Sequence, residues 1–144
     1  MNAEIFTNNV LETIDFASNF ILDASPINKI IVLNGELGSG KTQFTKGIFK
    51  GLGYENFMEI NSPTFSILNT YQINEVDVHH FDLYRLDTFS EEDIAWFEEI
   101  LSEKNIVIIE NLKINLPKNN REIINVNISI VDGNQRKISV STKL

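Results

Sequence analysis

Eight residues in the first third of the chain constrain its fold more than any others. Gly35-Glu36-Leu37-Gly38-Ser39-Gly40-Lys41-Thr42 meets every fixed position of G-x-x-x-x-G-K-[ST]. Ile30-Ile31-Val32-Leu33, just before it, is a short continuous apolar run, the pattern of a strand buried on both faces. Lys41 to Lys50, just after it, reads as a helix closed by Gly51 and Gly53. Strand, glycine-rich loop and helix in this order form a cradle for phosphate. The glycines let the main chain curl until successive N–H groups point inward. The helix then offers its positive end to the same anion. In that arrangement Lys41 reaches the β- and γ-phosphates and the Thr42 hydroxyl ligates Mg²⁺. Gly38, Ser39, Gly40, Lys41, Thr42 and Gln43 are the expected nucleotide-binding stretch. Lys41 is expected to lie outside the core. A ligand-free turn between strand and helix is the competing explanation of the same residues.

A metal beside this loop needs an acid, and two stand at strand ends. Glu110 closes Ile106-Val107-Ile108-Ile109, an apolar strand followed by a carboxylate. Asp82 sits within His80-Phe81-Asp82-Leu83-Tyr84. Ligands of open α/β sheets gather at the carboxyl ends of parallel strands, so both acids are placed to serve. Each also has a plainer explanation: an exposed strand end for Glu110, an ion pair with Arg85 for Asp82. Glu110 has the better claim on the metal, beside Thr42. Asp82 is then free to orient the attacking water or to hold a water on Mg²⁺.

The remaining pattern supplies the frame. Val10, Ile14, Ala17 and Ile21 recur at helical spacing in Val10 to Leu22, and Pro26 ends that helix. Met58 to Ile60 reads as a short strand broken by Pro63. Phe65 to Ile73 and Val76 to Tyr84 read as strands around a tight turn at Asn74-Glu75. Ser90 to Ser102 opens with a capping pattern, Ser90 with Asp93, and runs as a helix. Ile123 to Ile130 and Lys137 to Ser141 pair around Asp132-Gly133. The fold class that follows is α/β: a P-loop NTPase-like sheet, part parallel and part antiparallel, flanked by helices, in a single domain over residues 1–144. A length of 144 residues suits one domain.

Several stretches line up, in order, with one family. After Gly35–Thr42 come Asn61-Ser62-Pro63-Thr64-Phe65, then His80-Phe81-Asp82-Leu83-Tyr84-Arg85-Leu86, Ile109-Glu110, Leu116-Pro117 and a terminal hairpin. The succession resembles the bacterial TsaE (YjeE) family of small P-loop ATPases and covers nearly the whole chain. The resemblance implies a role in threonylcarbamoyladenosine modification at position 37 of tRNAs that read codons beginning with A. It implies TsaB and TsaD as partners, ATP as substrate, Mg²⁺ as cofactor and a cytoplasmic setting. It further implies that ATP hydrolysis supports turnover by the complex, while another subunit transfers the threonylcarbamoyl group. Residue by residue, Lys41 and Thr42 match the family's phosphate lysine and metal-binding threonine. Glu110 matches its metal-site glutamate, Asp82 its essential aspartate and Thr64 the threonine of its switch-like loop. Arg136 falls where the family carries a nucleotide-contacting arginine. One departure stands out: Asn111-Leu112 replaces the aromatic pair, usually Trp-Pro, that follows the family's glutamate.

Composition and single residues narrow the partners. Twelve Lys and Arg against twenty Asp and Glu give a net charge of −8. Phosphate contacts dominate nucleic-acid affinity, so contact with tRNA is expected only indirectly, through partners. No cysteine is present, which excludes disulfides and thiolate metal sites. Met1 to Val10 lacks a secretory pattern and no apolar run approaches a membrane span, so no membrane is expected. His79 and His80 are adjacent in a strand, point to opposite faces and cannot share one ion. Trp96, Phe97, Ile100 and Leu101 read as the buried face of their helix. Glu91-Glu92-Asp93 suits the dipole at that helix's start. Two other functions share the loop. A small-molecule kinase would need an arginine-rich lid, and the chain has only Arg85, Arg121 and Arg136. A nucleotide-gated binding switch would use the same residues with little turnover.

Overall fold

The computed structural model describes residues 2–63 and 67–143. In chain order the elements are β1 (Asn2–Thr7), α1 (Val10–Ala24), β2 (Ile30–Asn34), α2 (Lys41–Gly51), a 3₁₀ turn (Phe57–Glu59), β3 (Leu68–Ile73), β4 (Val76–Asp82), α3 (Glu91–Ser102), β5 (Asn105–Glu110), β6 (Ile123–Asp132) and β7 (Gln135–Lys143). One seven-stranded sheet runs in the order β1-β7-β6-β2-β5-β4-β3. Its middle is parallel: β2 pairs with β5 and β6, and β5 pairs with β4. Antiparallel hairpins, β3–β4 and β6–β7, extend it on both sides, and β1 adds to β7. The mixed sheet expected from the sequence is therefore present.

The apolar strands are buried on both faces, as their composition demands. Alternate residues of β2 and β5 enter different cores. Ile31, Leu33, Ile106 and Ile108 join Ala17, Ile21, Phe44 and Ile48 beneath α1 and α2. Ile30, Val32, Val107 and Ile109 join Phe81, Leu83 and Phe97 beneath α3. α1 and α2 touch closely because α2 carries Gly47. A Cβ there would stand 2.4 Å from the Ile14 carbonyl oxygen and 2.5 Å from the Ala17 Cβ.

Local chemistry accounts for the ends of the elements. Asn9 caps α1 by accepting from the Glu12 N–H, and Ser25 leaves the helix in a left-handed conformation before Pro26. Ser90 and Asp93 form the expected capping box on α3. The turn between β3 and β4 uses Asn74 and Glu75, both at positive φ.

Three expectations change, and one strand is present that was not expected. Met58 to Ile60 is not a strand: the backbone makes a 3₁₀ turn at Phe57–Glu59, where Glu59 N–H donates to the Asn56 carbonyl. β1 carried no strand signal because only Thr7 of its six residues is buried, so no alternation marks it. The last hairpin turns at Gly133-Asn134, pairs Asp132 with Gln135 and carries an irregularity between Ile130 and Asp132. Trp96 stays 38% exposed, its ring set edge-to-face with Phe81, whereas Phe97 is buried. The start of the strand expected from Phe65 lies partly outside the described residues.

Gly47→Ala tests the helix contact. Alanine favours a helix by about 1 kcal/mol over glycine, but overpacking a tight contact costs about 1–3 kcal/mol. We expect net destabilisation, read as a melting temperature lower by about 2–8 °C in calorimetry.

Candidate nucleotide and metal site

Parallel pairing brings the functional strand ends into one line. Leu33 of β2 pairs with Glu110 of β5, and Glu110 pairs with Asp82 of β4. The glycine loop leaves β2 one residue beyond this row. A cleft of about 770 Å³ opens there, and Lys41, Thr42, Gln43, Asp82, Glu110 and Arg136 are among the residues in its walls. Gly38, Ser39 and Gly40 line it too, as do the apolar Val10, Leu11 and Leu37. Every site residue expected from the sequence and described here therefore borders one cavity. Thr64 lies outside the described residues.

The loop fits its role by shape. Gly40, directly before α2, has φ 116°, a conformation that favours glycine. A Cβ on Gly35 would stand 2.6 Å from the Ile128 carbonyl oxygen, so the loop can hug β6 only with glycine there. α2 has no acidic residue in its first turn and no side-chain cap, whereas α1 and α3 both supply acids to theirs. The start of α2 thus keeps its positive end uncompensated and turned to the cleft. Lys41 is only 7% exposed, yet it lies outside the apolar core, as expected. Its ammonium donates to the carbonyls of Gly35 at 2.5 Å and Glu36 at 3.2 Å, so it is buried among loop oxygens rather than in an apolar core.

Arg136 braces the loop from the last hairpin. Its Nε donates to the Ser39 carbonyl at 2.9 Å, and one terminal nitrogen reaches the Gly38 carbonyl at 3.4 Å. The other terminal nitrogen holds the turn through the Gly133 and Gln135 carbonyls. The guanidinium thereby ties the hairpin to the phosphate loop.

A chain of polar contacts joins the loop to β5. The Ser62 hydroxyl lies 3.1 Å from each oxygen of Glu110 and 2.9 Å from the Thr42 hydroxyl. A carboxylate only accepts, so Ser62 donates to Glu110 and Thr42 donates to Ser62. Ser62, within the sequence block Asn61-Ser62-Pro63-Thr64-Phe65, is thus part of the site. Glu110 is 1% exposed, and His80 Nε2 holds its Oε2 at 2.5 Å. His79 faces the other way and bonds Thr70 at 2.9 Å. The two histidines do point apart. Burial pulls the His79 imidazole below its ordinary pKa, with Asp77 acting in the opposite sense.

Asp82 is half-buried and differently held. Its Oδ1 accepts from the Tyr84 N–H at 3.0 Å and from Asn111 Nδ2 at 2.9 Å. Asn111 sits at φ 59°, a left-handed conformation that asparagine tolerates. The residue in the place of the family's aromatic therefore fixes the second acid, while Leu112 packs against the α3 core. The sequence placed Ser62 and His80 in the blocks that carry the resemblance and Asn111 beside Glu110 but gave none of them a role in the site, because each acts through a partner distant in sequence.

The donor set suits a Mg²⁺-nucleotide. Oxygens around one Mg²⁺ at about 2.1 Å in an octahedron stand about 3 Å apart. The Thr42 hydroxyl and the Glu110 carboxylate, the two groups proper to such a shell, are gathered on one side of the loop by the Ser62 hydroxyl between them. Among the described residues no three His, Cys, Asp or Glu gather to hold an ion by themselves. Phosphate oxygens and water would have to complete the shell, as is usual for Mg²⁺. The buried Ser39 hydroxyl has no partner among the described residues, which leaves a polar atom available within the cradle.

Comparison with known proteins fits this geometry. The family model "Threonylcarbamoyl adenosine biosynthesis protein TsaE" matches residues 7–138. The chain belongs to the TsaE family. It is 38% identical to the Rickettsia felis "tRNA threonylcarbamoyladenosine biosynthesis protein TsaE" over 96% of this chain and 79% of that protein. The Rickettsia bellii protein of the same name is 36% identical over 99% of this chain and 97% of its own length. The Borreliella burgdorferi one is 39% identical over 66% of each. YdiB of Bacillus subtilis has the same fold, with a TM-score of 0.71 and 23% identity over 99% of this chain and 85% of that one. Membership of the TsaE family places the chain in threonylcarbamoyladenosine biosynthesis.

Arg136→Ala tests the brace. Amide exchange at Gly38 to Gly40 should rise at least severalfold, while core amides of β2 and β5 stay protected. Arg136→Lys should not restore protection, because one ammonium cannot span carbonyls that the guanidinium reaches with three nitrogens. Hydrogen exchange read by NMR checks both.

Proposed function

We propose that the protein is a Mg²⁺-dependent ATPase that works with TsaB and TsaD in threonylcarbamoyladenosine modification of tRNA, in the cytoplasm. The observation that carries this reading is the Thr42–Ser62–Glu110 chain of oxygens beside a complete phosphate loop. Family membership supports the pathway.

The residues divide the work as follows. The main chain of Gly38 to Gly40 and the first turn of α2 bind the β-phosphate. Lys41 exchanges loop carbonyls for phosphate oxygens and stabilises charge as the terminal phosphoryl group departs. Thr42 and Glu110 would hold Mg²⁺, which when bound draws charge from the β- and γ-phosphate oxygens. With Oδ1 fixed by Asn111 and Tyr84, Asp82 keeps Oδ2 to orient a water toward the γ-phosphate. Val10, Leu11 and Leu37 give a purine ring an apolar wall. Arg136 contributes through the loop it braces. No Asn-Lys-x-Asp guanine-reading element occurs in the sequence, which favours adenine.

The deciding experiment measures ATP hydrolysis by the protein alone and with the TsaB–TsaD pair. Slow hydrolysis that rises with the pair, and is lost in Lys41→Ala, is the expected result. Phosphorylation of a small acceptor without partners would instead make the protein a kinase.

The two acids should fail differently. Glu110→Gln should weaken Mg²⁺-dependent ATP binding by about tenfold or more, because an amide is a poorer Mg²⁺ ligand. Asp82→Asn should leave ATP affinity within about threefold and lower the rate by about a hundredfold or more, the usual yield of a positioned base. Calorimetry with and without Mg²⁺, beside partner-stimulated hydrolysis, separates them.

The chain alone should bind tRNA poorly because of its −8 charge. A submicromolar gel shift at physiological salt, without partners, would contradict this.

A further inference from the structure

His80 is fully buried on β4, on the same face as Val78, and its ring lies 6.4 Å from Phe49 of α2. Phe49 in turn packs edge-on against Tyr54 and Tyr71, so the imidazole is backed by an aromatic cluster. An imidazole is a poor choice for filling such a space, because burying its nitrogens costs hydration. Nδ1 indeed has no partner among the described residues. Nε2 is the nitrogen that is used, and its partner is Glu110 Oε2 at 2.5 Å.

Register explains why the two meet. His80 pairs with Ile108 and Asp82 pairs with Glu110, so His80 lies one alternation below the row of acids. Ile108 belongs to the core beneath α1 and α2, which places His80 and Glu110 on the face that carries the phosphate loop. A glutamate side chain has three torsions. Among the described residues the other partner of this carboxylate is Ser62, which stands on a connecting segment outside the strands. His80 is anchored in the sheet.

We propose that His80 is a positioning residue: its Nε2–H sets the Glu110 carboxylate toward Thr42, so that the metal ligand is aimed by the core and not by the loop. The inference rests on the reading of Glu110 as a Mg²⁺ ligand. Partners of this kind behind metal ligands typically govern about ten- to a hundredfold in metal affinity.

The test compares two variants by calorimetry of ATP binding with and without Mg²⁺. His80→Phe keeps the packing against Phe49 and removes the donor. His80→Gln places an amide N–H near the position of Nε2. Expected is a loss of about ten- to a hundredfold in Mg²⁺-dependent affinity for H80F, with metal-free ATP affinity unchanged, and substantial recovery in H80Q. Should H80F not fold, His80→Asn, whose amide falls short of Glu110, takes its place with the same expected loss. Wild-type Mg²⁺ dependence in the donor-free variant would overturn the inference alone. So would equal losses in H80F and H80Q, which would make the residue merely structural. A wild type without Mg²⁺ dependence would overturn the reading of Glu110 and this inference with it. In the metal-free protein, ¹⁵N spectra of the imidazole should place the hydrogen on Nε2; a hydrogen on Nδ1 alone would also overturn it.

Discussion

The parallel register of β2, β5 and β4 is the constraint on which the site depends. Parallel strands all end on the same side, and pairing sets how far each extends. Leu33, Glu110 and Asp82 fall on one row, so the loop after β2 and the acids ending β5 and β4 emerge together. Burial enforces that row. β2 and β5 are apolar on both faces, and a one-residue slip would exchange their two sets of side chains between unlike cores. The same slip would turn Glu110 away from Ser62 and His80, stranding a buried carboxylate at a cost of several kcal/mol. Apolar packing and charge satisfaction therefore select the same register.

Around this row the acids are fixed by different means. Glu110 is buried and held by a ring nitrogen from the sheet and a hydroxyl from the segment before residue 64. Asp82 is half-buried and held by main chain and by Asn111. Each acid is held by groups the other does not use, which lets two carboxylates on neighbouring strands take different tasks. The bare start of α2 and the cations Lys41 and Arg136 balance them within one cleft, in a chain whose overall charge is −8.

Much of this was legible in the sequence because the signals are local. The phosphate loop is contiguous, and its glycines, lysine and threonine carry their chemistry in their spacing. β2 and β5 announce themselves by being wholly apolar, and α1 and α3 by helical periodicity with caps. What escaped depends on distant pairing or lacks a pattern. β1 has no buried face to alternate. His80 looked structural because the sequence shows its neighbour His79, not the carboxylate across the sheet. Asn111 registered as the loss of an aromatic, although its amide supports Asp82. Lys41 lies outside the apolar core, as expected, but the loop carbonyls that give its ammonium a buried polar lining could not be read from spacing.

The two-residue turn at Gly133-Asn134 makes the last hairpin a ruler. It measures the distance from the sheet to the phosphate loop, and Arg136 is its mark. Ile130 pairs with Arg136 while Asp132 pairs with Gln135, so β6 already takes up one extra residue beside the turn, and β7 keeps its face through its pairing with β1. Most surface hairpins drift freely in length over evolutionary time. This one is tethered at Arg136, so its length can drift only while the guanidinium still reaches the Ser39, Gly38 and Gly133 carbonyls together.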